Sequence, residues 1–142
     1  MDTFVLTTLA HPGPSRKLAK AAVAILYESI SDRELIYRCD LALTEACANV
    51  VRHAYKQCEP GKLQITLTLT PGACVDVEVI DWGCGFDHLP VSVVNATPDA
   101  EGGRGLYIMS ELADSFAVRQ DEGRNIVYFK ILVQESSWTP YK

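Results

Sequence analysis

Glu45-Ala46-Cys47-Ala48-Asn49-Val50-Val51-Arg52-His53-Ala54-Tyr55 is a run in which Glu45, Asn49 and His53 recur at every fourth position. On a helix that spacing confines all three to an arc of about 80°. Ala42, Ala46 and Ala54 lie close by and leave room beside the row. A carboxylate and an amide one turn apart can hold a water or a hydrated divalent cation. The Asn oxygen suits Mg2+, and a Glu can act as a base through a water or a hydroxyl. Taken alone, such a row is a solvated helix face more often than a site. An Asn among helix-forming alanines is a poor helix choice, however, which weighs toward function.

The surroundings of this run are those of an α+β domain. Ser31-Asp32 opens the helix, which is predicted to continue to about Tyr55 with an apolar stripe at Leu43, Cys47, Val50 and Ala54. Upstream, Thr3 to Leu9 reads as a strand. Pro12, Gly13 and Pro14 stop it, and Ser15 then caps a helix with Leu18, Ala21, Ala22, Ile25 and Leu26 at helical spacing. Downstream, Lys62 to Thr70 and Cys74 to Ile80 alternate apolar with polar residues, and Pro71-Gly72 turns between them into an antiparallel hairpin. Asp81 to Asp87 is a glycine loop, and 88–101 reads as a mobile lid. Leu106 to Ala113 is a short helix. Phe116 to Arg119 and Asn125 to Val133 are two last strands joined at Glu122-Gly123. Helices and hairpins are partly segregated, which predicts a two-layer α/β sandwich. The 142 residues fit one domain, with a core over about 3–133 and a polar tail over 134–142.

Two glycine clusters follow the polar row. In Asp81-Trp82-Gly83-Cys84-Gly85-Phe86, glycines at alternate positions permit positive φ and a close approach of backbone to a flat ligand. Asp81 offers an acceptor for an exocyclic amine such as that of adenine. In Glu101-Gly102-Gly103-Arg104-Gly105-Leu106, free amides at a helix start form an anion site suited to phosphates, and Arg104 adds positive charge. Neither cluster is a P-loop, and the second does not follow a strand as a dinucleotide fingerprint would.

Bulk properties remove other classes. A net charge of −5 and the lack of a dense basic cluster argue against direct nucleic-acid binding. The N-terminus has no basic region before its apolar run, and no segment nears the ~18 apolar residues that span a membrane, so the expected location is cytoplasmic. Cys39, Cys47, Cys58, Cys74 and Cys84 are odd in number and form no C-x-x-C pair, which favours buried, reduced thiols. Cys84 is the exception. It stands in a glycine loop as filler, with a redox-sensitive thiol as the lesser alternative.

A polar helix row, an Asp-glycine loop, a lid and a phosphate-type helix start, in that order, make a complete nucleotide triphosphate pocket. At this point the chain resembles the Bergerat-fold ATPases, the group that contains Hsp90, gyrase B, MutL and the histidine kinases. Their N box matches EACANVVRHAY, and their two glycine boxes match DWGCGF and GGRGLYIM. Within that group it is most similar to the anti-sigma-factor serine kinases of bacterial partner-switching systems, on NVVRHAY and GGRGLYIMSELADSF after a short lid.

The resemblance implies a mixed, mostly antiparallel sheet covered on one face by helices. It also implies a Mg-ATP-dependent kinase that phosphorylates a Ser or Thr on a small STAS-domain anti-anti-sigma protein, forms homodimers and binds a sigma factor. By the same token Glu45 is the general base, Asn49 the Mg2+ ligand and Asp81 the adenine anchor. Gly83 and Gly85 pack by the base, and Gly102, Gly103, Arg104, Gly105 and Leu106 hold phosphates. His53 is a pocket-side or structural residue. Relatives often carry a Thr near the start of the last strand; here Asn125 either substitutes for it or the contact is absent. A second reading, of another class, is a non-catalytic ATP-gated module that sequesters a sigma factor or other target. A detached ATPase domain of a histidine-kinase system ranks below both, because the chain has no segment for a dimerisation helix pair.

Overall fold

The computed structural model describes residues 1–56, 58–84, 107 and 110–140. Five strands form one sheet: β1 (Asp2–Leu9), β2 (Lys62–Thr70), β3 (Cys74–Asp81), β4 (Ser115–Asp121) and β5 (Arg124–Leu132). They lie in the order β1-β2-β3-β5-β4, and every neighbouring pair is antiparallel. The expected two-layer sandwich is present, with the mixed sheet narrowed to purely antiparallel pairing among the described strands. Two helices, α1 (Pro12–Ser29) and α2 (Arg33–Asn49), supply the second layer.

Alternation builds the core. Leu63, Ile65, Leu67 and Leu69 of β2 are buried and stand in register with Asp81, Val79, Val77 and Val75 of β3. Their opposite neighbours, such as Thr66 and Glu78, sit on the half-exposed far face. Onto the apolar face pack Leu18, Ala22 and Leu26 of α1, and Ile36, Leu43 and Ala46 of α2. Phe129 of β5 is fully buried among them. The β2–β3 turn needs Gly72, whose φ of 81° is left-handed. The β4–β5 turn places both Glu122 (φ 51°) and Gly123 (φ 78°) in that region, as the twist of a two-residue hairpin requires.

Three local expectations are corrected. Helix α1 begins at Pro12 instead of after the prolines, with His11 extended as its N-cap residue. A proline suits the first turn, where its missing N–H would be unpaired anyway and its φ is already helical. Ser15 therefore lies inside the helix, buried, and its Oγ donates to the Pro12 carbonyl at 3.0 Å. The buried stripe of α1 is Leu18, Ala19, Ala22, Val23 and Leu26, whereas Ala21 is exposed and Ile25 only half-buried. By contrast α2 opens as expected, with the Asp32 carboxylate accepting from the Leu35 N–H at 3.1 Å.

The polar tail is also more than a tail. Residues Glu135–Ser137 form a 3-10 turn, and Ile30 and Trp138 make an antiparallel bridge. Ser31 N–H donates to the Ser137 carbonyl at 2.8 Å, and Thr139 N–H to the Ser29 carbonyl at 2.9 Å. The segment clasps the α1–α2 joint. Among the described residues no helix is long and apolar enough to cross a membrane.

Candidate nucleotide site

Helix α2 carries the polar row toward the C-terminal end of β3. Asn49 is its last α-helical residue and is 4% exposed, while the Glu45 side chain, one turn earlier, is 34% exposed. Arg52 approaches Glu45 only to 4.0 Å, and an exposed pair that long has little energetic weight. His53 is half-buried, but it does not extend the row with α-helical geometry. From Val50 to Ala54 the helix widens into a π turn, in which each residue advances less around the axis. The arc expected for Glu45, Asn49 and His53 therefore holds only for the first two.

That wide turn meets the Asp81 loop. A Cβ built on Gly83 would collide with the carbonyl of Ala54 and stand 2.9 Å from the Ala54 Cβ. Gly83 is not at positive φ. Its missing side chain serves a close approach between the loop and the turn that ends α2.

Tyr55 ties the same three pieces together and was not singled out in the sequence. Its hydroxyl donates to the Lys62 carbonyl at 2.5 Å, where β2 begins, and accepts from the Trp82 N–H at 2.9 Å. Burial raises its phenol above the ordinary value, the Trp82 N–H opposes this, and the Asp81 carboxylate adds to it. The phenol stays protonated and keeps its donor. The signal available in the sequence was only an aromatic ring one residue beyond the expected stripe. Trp82 itself lies with its ring 4.7 Å from the Lys62 ammonium, a cation–π contact beside the base of the loop.

Asp81 and Asn125 form the buried polar centre, at 2% and 1% exposure. They face each other across the β3–β5 ladder. The Asn125 Nδ2 donates to Asp81 Oδ1 at 2.7 Å and to the Gly83 carbonyl at 3.0 Å. The Gly83 N–H donates to the same Asp81 oxygen at 2.9 Å. Both neighbours of the Asn125 amide are acceptors, so its nitrogen must face them, and this orients the group. Its Oδ1 is then buried with no partner among the described residues. A buried orphan acceptor costs about 1–3 kcal/mol, which a ligand amine or a bound water would recover. The pair thus presents a carboxylate and a vacant carbonyl-type oxygen, both able to accept from an amine.

The remaining expected site residues, Gly85, Gly102, Gly103, Arg104, Gly105 and Leu106, lie outside the described residues, as does the lid at 88–101. Of the helix expected over Leu106 to Ala113, Tyr107 and residues 110–112 are helical.

Comparison with known proteins agrees with this geometry. The family model described as the histidine kinase-like ATPase domain matches residues 9–131. The chain is 30% identical over 131 residues to the serine-protein kinase RsbW of Bacillus cereus, an alignment taking in 84% of this chain and 77% of the relative. It is 28% identical over 141 residues, with the same coverage, to the proteins of that name from Bacillus thuringiensis and Bacillus anthracis. The α/β sandwich is consistent with these matches, which show that the chain belongs to the histidine kinase-like ATPase domain family and, within it, groups with the RsbW serine-protein kinases.

Proposed function

We propose that the protein is a Mg-ATP-dependent serine/threonine kinase and anti-sigma factor of a bacterial partner-switching system, whose substrate is a STAS-domain anti-anti-sigma protein. The observation that supports this reading is the contact of Gly83 with Ala54, which brings the Asp81 loop against the turn that continues α2 beyond Asn49. The names of the RsbW relatives support the activity.

In this proposal Asp81 accepts from the adenine amine, and Asn125 uses its vacant Oδ1 toward the base edge, directly or through water. Gly83 holds the loop against α2, and Gly85 packs by the base. Gly102, Gly103, Arg104, Gly105 and Leu106 bind the phosphates, with Arg104 adding charge. Asn49 supplies the protein oxygen for Mg2+, whose chemistry is to neutralise phosphate charge. Glu45, one turn before Asn49 and open to solvent, takes the proton of the substrate hydroxyl as its oxygen attacks the transferred phosphoryl group. His53 lines the edge of the pocket. The protein works in the cytoplasm and pairs with a second copy. Support for pairing is β1, an edge strand that exposes Val5 (59%) and Leu9 (54%).

Labelled ATP offered with a cognate STAS-domain protein tests this. Phosphate should appear on a Ser or Thr of that protein, and Glu45→Ala should cut transfer by roughly 10²–10⁴-fold while ATP still binds. Wild-type protein that binds ATP but transfers nothing would replace the kinase with the alternative reading, an ATP-gated module that sequesters a sigma factor or other target.

A further inference from the structure

The five cysteines divide by environment. Cys39 and Cys47 are buried in α2, and burial pushes both thiols up to about 12. Cys74 starts β3, and its thiol donates to the Asp76 carboxylate at 3.7 Å. Cys58 and Cys84 are both exposed, and they meet. The Cys84 N–H points at the Cys58 sulfur, with nitrogen and sulfur 3.5 Å apart. Cys58 lies between the π turn and β2, three residues beyond Tyr55. Cys84 follows Gly83 in the loop that the Asp81–Asn125 pair holds. A sulfur 3.5 Å from the main-chain nitrogen of the second cysteine brings the two residues close enough that side-chain rotation with a small main-chain movement reaches the Cα separation of about 4.4–6.8 Å that a disulfide spans. Cys74 is excluded as a competitor, because β3 carries it roughly 20 Å away from Cys84.

We propose that Cys58 and Cys84 are an oxidation site at which a peroxide forms a disulfide across the mouth of the nucleotide pocket. The electrons balance. One thiolate attacks hydrogen peroxide, breaks the O–O bond and leaves as a sulfenic acid with one water. The second thiolate attacks that sulfur and expels the hydroxyl as a second water. Two thiols lose two electrons and two protons, and the peroxide takes up both. No other oxidant is needed.

The bond acts on the pocket because its two ends belong to different parts of the site. Asp81 and Asn125 are fixed by the β3–β5 ladder and cannot follow Cys84. Drawing the Cys84 main chain toward Cys58 therefore shifts the loop relative to the acceptor pair, and it ends the N–H···S contact. Nucleotide affinity falls, and reduction restores it. This consequence rests on the nucleotide reading of the site; the disulfide itself does not.

The full chain, fully reduced and then treated with hydrogen peroxide, should lose the mass of two hydrogens and yield one cross-linked peptide pair containing Cys58 and Cys84. Cys58→Ser should abolish the link and leave Cys84 carrying a single oxygen or open to a thiol probe. Calorimetry with Mg-ATP should show at least a fivefold weaker affinity for the oxidised protein, reversed by dithiothreitol and absent in Cys58→Ser. A peptide map with no Cys58–Cys84 link, or with Cys74 linked as readily, overturns the site. A link that leaves ATP affinity unchanged overturns its action on the pocket. If reduced wild-type protein binds no ATP, the nucleotide reading fails, while the peptide map still decides the disulfide.

Discussion

Asn125 faces Asp81 across the β3–β5 ladder and donates its amide to the carboxylate at 2.7 Å, so a buried acid is oriented by a residue 44 positions away in sequence. The arrangement resembles a locked bolt. The Gly83 N–H and the Asn125 Nδ2 saturate one carboxylate oxygen, and the Asn125 carbonyl is left over. The Asn125 amide, held by Asp81 and the Gly83 carbonyl, thus fixes both its own oxygen and the carboxylate.

Asn125→Ala removes two hydrogen bonds and leaves a buried carboxylate short of a donor. It is expected to cost about 1–3 kcal/mol of stability and to weaken ATP binding roughly tenfold or more. Urea denaturation and calorimetry measure the two effects. Unchanged ATP affinity in a folded variant would remove Asn125 from the base edge.

Asn125→Asp sets a second carboxylate against the first. Two like charges that close force one carboxyl to keep its proton, so the folded pair titrates above the unfolded range. A raised folded value contributes stability below the unfolded pKa, and that stability is lost as pH rises through the folded one. The melting-temperature deficit of this variant against wild type should therefore shrink as pH falls from 7 toward about 4.5. A deficit that stays constant over that range would mean the side chains do not touch.

Gly83→Ala drives a methyl group into the Ala54 backbone, which cannot yield as a side chain would. About 1–3 kcal/mol or more of overpacking is expected, together with weaker ATP binding. Gly72→Ala meets open space and suffers only from its left-handed φ, at about 1–2 kcal/mol, with ATP affinity untouched. Equal effects of the two variants on ATP binding would contradict the loop–helix contact.

Tyr55→Phe deletes the hydroxyl that bridges Trp82 and Lys62. A loss of about 1–2 kcal/mol should appear in urea. The Trp82 amide should also exchange its hydrogen faster, and wild-type exchange there would rule out the bridge.

On the far face of the sheet, Tyr128 donates to Asp76 at 2.6 Å, while Lys130 approaches the same oxygen at 3.8 Å and Arg119 pairs with Glu78 at 2.9 Å. Burial, then the hydrogen bond and charge of Asp76, push the Tyr128 phenol up to about 12. The folded value is raised, so this contribution to stability is complete below pH 10 and fades as pH climbs through about 12. Absorbance titration of the phenols should find a late transition that Asp76→Asn moves down, distinct from that of Tyr55. An unmoved transition would show that Asp76 is not its partner.

The hairpins and α2 were legible because their signals are local. Alternation over Lys62–Thr70 and Cys74–Asp81 has the period of a strand, and Asp32 sits where a cap must. Pro12 misled because a proline ends a strand and begins a helix with equal ease, so the capping role fell to Ser15 in error. Trp138 closes on Ile30 through contacts more than a hundred residues apart, and nothing within the polar tail announces them.

By itself the sequence determined the alternating strands, the Glu45–Asn49 turn and the identity of a carboxylate ahead of two glycines, because each depends on spacing within a single element. Only the tertiary structure decided that α2 ends in a π turn, that Gly83 is required by Ala54, and that Cys58 lies against Cys84. It alone also made Asn125 the partner of Asp81, since strand register, set by burying one face of β3 and β5, chooses which side chains meet.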